Sequence, residues 1–126
     1  MKRLWAILAI LIAMLPSIAP AQYVMDIGNL IGALRVGDFS GDLENLDHAQ
    51  VVYVTRLSQM SGVRISAAGL DKTIAARERV LIYLRAIIRQ NKVAMKALEV
   101  HHEALEDVIF LTTTNDGSAM LYVDDR

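Results

Sequence analysis

The chain has no cysteine among its 126 residues. That excludes a disulfide framework, a cysteine nucleophile and a lipid anchor on an N-terminal cysteine. Phosphate-cradling glycine loops are also absent, and no serine sits in a Gly-x-Ser-x-Gly turn. His48 is tied by no local motif to a serine or an acid. The local signatures of nucleotide binding and nucleophilic hydrolysis are therefore missing. The two prolines, Pro16 and Pro20, both lie near the start, where they close the one long apolar run.

That run belongs to an ordered N-terminal pattern. Lys2 and Arg3 precede apolar residues 4–15, and residues 16–21 end in Ala19-Pro20-Ala21. Positive start, apolar centre and small-residue end are what signal peptidase reads. The run is 12 residues long, whereas a membrane span needs about 20. The expectation is a cleaved signal peptide over 1–21, no transmembrane span after cleavage, and a chain that begins at Gln22 and works outside the cytosol. A bacterial periplasm suits a cysteine-free exported protein of this size.

The remaining 105 residues are enough for one domain with a modest core. Without Lys2 and Arg3 they carry 11 basic and 14 acidic side chains, a net charge of −3. This mildly acidic balance argues for solubility and against nucleic-acid binding.

Residues 22–48 mix Gly28, Gly32, Gly37 and Gly41 with Asp26, Asp38, Asp42 and Asp47. They read as a partly ordered N-terminal arm with a short helical turn around residues 27–34. A small domain follows over 49–126. Val51, Val52, Tyr53, Val54 and Thr55 suit a strand, and residues 58–62 suit a turn.

Asp71 is expected to cap a helix ahead of Val80, Leu81, Leu84, Ile87 and Ile88, whose spacing predicts an amphipathic helix over 71–90. Asn91 predicts the start of a shorter helix over 92–100, with Val93, Met95 and Leu98 facing inward.

Asn115-Asp116-Gly117 separates two β-rich runs and predicts a hairpin. With Thr114 opposite Ser118, Leu111 faces Leu121 and Ile109 faces Val123. One face then collects Ile109, Leu111, Ala119, Leu121 and Val123; the other collects Phe110, Thr112, Thr114, Ser118, Met120 and Tyr122. A hairpin alone is marginal, so the strand near Val51 is recruited. The fold class is α+β: an amphipathic and a shorter helix packed on a C-terminal hairpin and a third strand, in the order β-α-α-β-β, with an antiparallel-rich sheet.

Three features bear on chemistry. His101 and His102 lie near Glu99, Glu103 and Glu106, and on a helix His102 and Glu106 share a face, which makes His101, His102 and Glu106 the metal candidates. Adjacent histidines point about 100° apart on a helix, and the plainer reading is a solvated helix end. Residues 38–44 alternate oxygen-bearing side chains, but Gly41 falls at the fourth place and not the sixth of a calcium loop. Charge is the third. Residues 71–96 hold seven basic and two acidic side chains, and residues 97–126 hold seven acidic and one basic.

Mutual neutralisation is the bland account of this segregation. The functional accounts are a basic helix face that meets a protein or an anionic envelope component, and a salt-sensitive homo-oligomer. The expected function is thus a non-enzymatic, cofactor-free binding module of the bacterial cell envelope, with Arg85, Arg89, Phe110, Met120 and Tyr122 as partner-binding residues. The alternative is a small metal-binding protein.

Overall fold

The computed structural model describes residues 24–126; the expected signal segment and the expected start at Gln22 lie outside the described residues. Helix α1 (Ile27–Val36) begins where the Asp26 carboxylate accepts from the Asn29 N–H at 2.8 Å. Ile27, Leu30 and Leu34 recur at helical spacing and are buried, while Gly28 and Gly32 face solvent. At Gly37 a Cβ would stand 2.9 Å from the Ala33 carbonyl oxygen, so the close approach demands glycine. Phe39, at φ 62°, turns the chain into α2 (Ser40–Leu46), which buries Leu43 and Leu46.

Residues 22–48 were expected to be a partly ordered arm. Instead, its described part, residues 24–48, supplies two helices and core side chains. The large apolar residues at helical spacing outweigh the roughly 1 kcal/mol that each interior glycine costs.

Strand β1 (Val51–Arg56) leads through a 3₁₀ turn (Leu57–Gln59) and left-handed Gly62 into α3 (Val63–Ala76). Helix α4 (Glu78–Ile88) follows after a single irregular residue, Arg77, at φ −108° and ψ 17°. The helix expected over 71–90 thus starts earlier and is broken, and Asp71 lies inside α3 and caps nothing. The break has two anchors: the Arg77 N–H is shared between the Thr73 and Ile74 carbonyls, and its guanidinium donates to the Gly37 carbonyl.

Asn91 caps α5 (Lys92–Val100) as expected, accepting from the Ala94 N–H at 2.9 Å. Leu98 and Ala94 are buried and Met95 packs on the core, but Val93 faces solvent, contrary to expectation. A second 3₁₀ turn (Leu105–Asp107) delivers β2 (Val108–Thr113) and β3 (Ser118–Val123).

The described residues form an α+β fold of five helices and one mixed three-stranded sheet ordered β1-β3-β2. Antiparallel pairing was expected to dominate. The hairpin is antiparallel, but β1 runs parallel to β3, from Val51 opposite Ser118 to Arg56 opposite Val123. Parallel neighbours need a crossover, which α3, α4 and α5 provide. The order is α-α-β-α-α-α-β-β, and not β-α-α-β-β.

The hairpin register agrees at Leu111 with Leu121 and at Phe110 with Tyr122. A shift between Val108 and Phe110 places Val123 opposite Val108 and leaves Ile109 without that partner. Every residue of central β3 is buried, so helices cover both sheet faces. Phe39 stacks edge-on against Phe110 at 4.9 Å, Phe110 meets Tyr122 at 6.0 Å, and the Met25 N–H donates to the Tyr122 hydroxyl at 3.0 Å.

Candidate functional site

The first consequence of a doubly covered sheet falls on Phe110, Met120 and Tyr122. All three are core residues, so none presents a surface to a partner. Alternation along the hairpin assigned them correctly to one face. Sequence reasoning missed that α1 and the Phe39 loop close over that face.

The histidine cluster also takes another shape. Helix α5 ends at Val100, His101 caps it, and His102 lies in the left-handed region at φ 57°. His102 and Glu106 therefore share no helical face, and the i, i+4 geometry behind the metal candidates is absent. Glu103 is committed elsewhere: it forms an ion pair with Arg56, whose Nη2 also donates to the His101 carbonyl at 2.7 Å. This arrangement clamps the turn to edge strand β1.

In the acidic loop, Asp38 accepts from the Ser40 N–H and Asp42 accepts from the Thr113 hydroxyl at 2.7 Å. These carboxylates serve α2 and β2 instead of converging on a common centre. Among the described residues no group of three or more His, Asp or Glu side chains is placed to hold a metal ion.

The basic helices offer the most distinctive surface. Helix α4 buries Leu81, Leu84 and Ile88 against the sheet, and its opposite stripe holds Arg79, Ile82, Tyr83, Ala86 and Arg89. Ile82 and Tyr83 are 57% and 60% exposed, adjacent on that stripe and flanked at both ends by arginine. Arg85 faces elsewhere: half-buried, its Nε donates to the Val108 carbonyl at 2.8 Å and fastens α4 to β2. Of the two arginines singled out from sequence, Arg89 is therefore exposed surface and Arg85 is mainly a structural tie.

Pairing within the molecule leaves the charge segregation largely intact. Of the seven basic side chains in residues 71–96, only Lys96 forms a direct ion pair among the described residues, 3.9 Å from Glu99. The acidic C-terminus is better engaged. Arg126 bridges Asp124 at 2.7 Å and Asp71 at 2.6 Å. That bridge closes one side of a cleft of about 340 Å³ lined by Asp71, Ile74, Glu78, Arg85 and Asp124.

Hydrogen bonding from Arg126 holds the Asp124 carboxyl below the usual range. Burial, then repulsion from Asp124, Glu103 and Glu106, pushes Asp107 up. Burial also draws Arg85 below its ordinary value, although Asp107, Glu106 and Glu78 oppose this.

No helix among the described residues is long and apolar enough to cross a membrane. Comparison with known protein families, with curated proteins and with solved structures returns no match.

Proposed function

We propose that the chain is an exported, non-enzymatic interaction module of the bacterial cell envelope that engages an acidic protein surface through the outer stripe of α4. The observation that carries this reading is the set of basic side chains in residues 71–96 that form no ion pair among the described residues. The ion pairs among the described residues leave that field unneutralised, so it can act on a second molecule. Tyr and Arg are the side chains most enriched among interface hot spots, and Arg79, Tyr83 and Arg89 stand on one exposed stripe with Ile82.

Charge on this stripe chiefly sets encounter rate and partner choice, while Ile82 and Tyr83 supply apolar area to bury. The acidic C-terminal region suits the same function, since it disfavours docking of the wrong face.

Two measurements test the reading. Export predicts that the chain recovered from the cell envelope has the mass of residues 22–126. Engagement predicts that chemically cross-linked complexes in that fraction weaken with added salt and are lost in Arg79→Glu/Arg89→Glu. Arg64→Glu, a basic position on α3 that is also exposed, should leave them intact. A complex lost equally in all variants would reduce the effect to net charge, and one of twice the chain mass would make the partner a second copy.

A further inference from the structure

Where α1 passes α3, the structure forms a half-open cavity of about 340 Å³ lined by Arg35, Gly69, Lys72, Thr73, Ala76 and Arg77. We infer that this cavity is a binding site for a phosphomonoester group, carried either by a small soluble molecule or by a lipid headgroup. The inference concerns a different set of residues from the α4 stripe and goes beyond the interaction reading.

Three cations, from α1, α3 and the break at Arg77, line one concave space, and no carboxylate lines it. None of the three forms an ion pair among the described residues. Like charges gathered in a partly enclosed space repel one another, and a bound dianion relieves that repulsion more fully than a monoanion does. Arginine's planar fork matches phosphate oxygens, and lysine adds a point charge.

Arg77 carries a further mark. Its Nη2 is committed to the Gly37 carbonyl, yet its Nε is buried with no acceptor among the described residues. A buried charged donor without a partner is costly, and an anionic oxygen is the acceptor that best relieves it.

The wall between these cations is made of small or committed groups. Gly69 leaves open space where a Cβ would stand, and the Thr73 hydroxyl already donates to the Gly69 carbonyl at 2.8 Å. Recognition therefore falls to the three cations. The volume exceeds that of a bare phosphate and lies at the lower end of the range for small-molecule sites, which leaves room for an organic group on the phosphate.

Isothermal titration of the purified protein in a phosphate-free buffer tests this. The probes are glycerol 3-phosphate, inorganic phosphate, and phosphatidylcholine vesicles with and without phosphatidic acid. The expected result is saturable binding at one site per chain, with glycerol 3-phosphate tighter than inorganic phosphate if the source is soluble, or binding confined to phosphatidic-acid vesicles if the source is lipid.

In either arm Lys72→Gln weakens binding about tenfold. Gly69→Glu, at a position where a Cβ meets no atom within 4 Å, abolishes it while the circular-dichroism melt shows a folded chain. Arg64→Gln, which changes net charge equally at an exposed position outside the cavity, leaves the affinity unchanged. No saturation by any probe up to about 1 mM, or equal weakening in Arg64→Gln and Lys72→Gln, overturns the inference.

Discussion

Tyr122 shows how a single residue changes meaning between a strand pattern and a packed structure. On the pattern it is one of a mixed set on the hairpin's second face; in the fold its ring lies beside Phe110 and its hydroxyl accepts the Met25 N–H. Tyr122→Phe should therefore cost about 1 kcal/mol of unfolding free energy, the worth of one internal hydrogen bond. Phe110→Ala should cost about 3–5 kcal/mol, because it empties a site that packs against two aromatic rings. Urea unfolding reads both. A binding role for these residues would instead predict lost association with unchanged stability.

The acidic corner gives residue-scale effects of opposite sign. Asp107 has a folded pKa raised above its unfolded value, about 3.9. Its favourable contribution is present below that unfolded value and is lost as pH rises through the folded one. Asp107→Asn should raise the urea midpoint at neutral pH, a gain that vanishes at about pH 3. Asp124 has a depressed pKa, so its contribution is present above the unfolded value and is lost as pH falls through the folded value. Asp124→Asn should lower the neutral-pH midpoint, and that loss should shrink toward low pH.

Asn91 joins two elements, and its prediction belongs to that scale. Its side chain caps α5 and its Nδ2 donates to the Leu46 carbonyl at 3.0 Å, tying the end of α2 to the start of α5. Asn91→Ala should cost about 1–2 kcal/mol in urea unfolding. Asn91→Asp keeps the cap but not the donor, so it should recover part of that loss.

Elements with a local signature were legible in the sequence: the Asn91 cap, the Asn115-Asp116-Gly117 hairpin and the β-branched run of β1. The rest depends on distant partners. Helix α1 hides its repeat behind Gly28 and Gly32, and the break at Arg77 is anchored by the carbonyl of a residue 40 positions away. The parallel pairing of β1 with β3 is set by three intervening helices. The bulge at Ile109 leaves no mark in the alternation pattern.

At the scale of the whole molecule, the consequence of these packing choices is where surface remains. The covered sheet removes its faces from recognition, the Arg56–Glu103 clamp occupies the histidine turn, and among the described residues most basic side chains of residues 71–96 form no ion pair. The candidate site was partly readable: the charge segregation and Arg89 came from the sequence, whereas the exposed Ile82–Tyr83 pair emerged only once the buried face of α4 was fixed.

Site-specific photo-crosslinking in cells tests this account most directly, with the photoreactive residue placed at Ile82 or at Ile65. Ile65 is 93% exposed but lies on α3, away from the arginine-flanked stripe. The account predicts a discrete protein adduct from position 82 that disappears in Arg79→Glu/Arg89→Glu, and none from position 65. Equal adducts from both positions, or an adduct from position 82 indifferent to that double substitution, would contradict it.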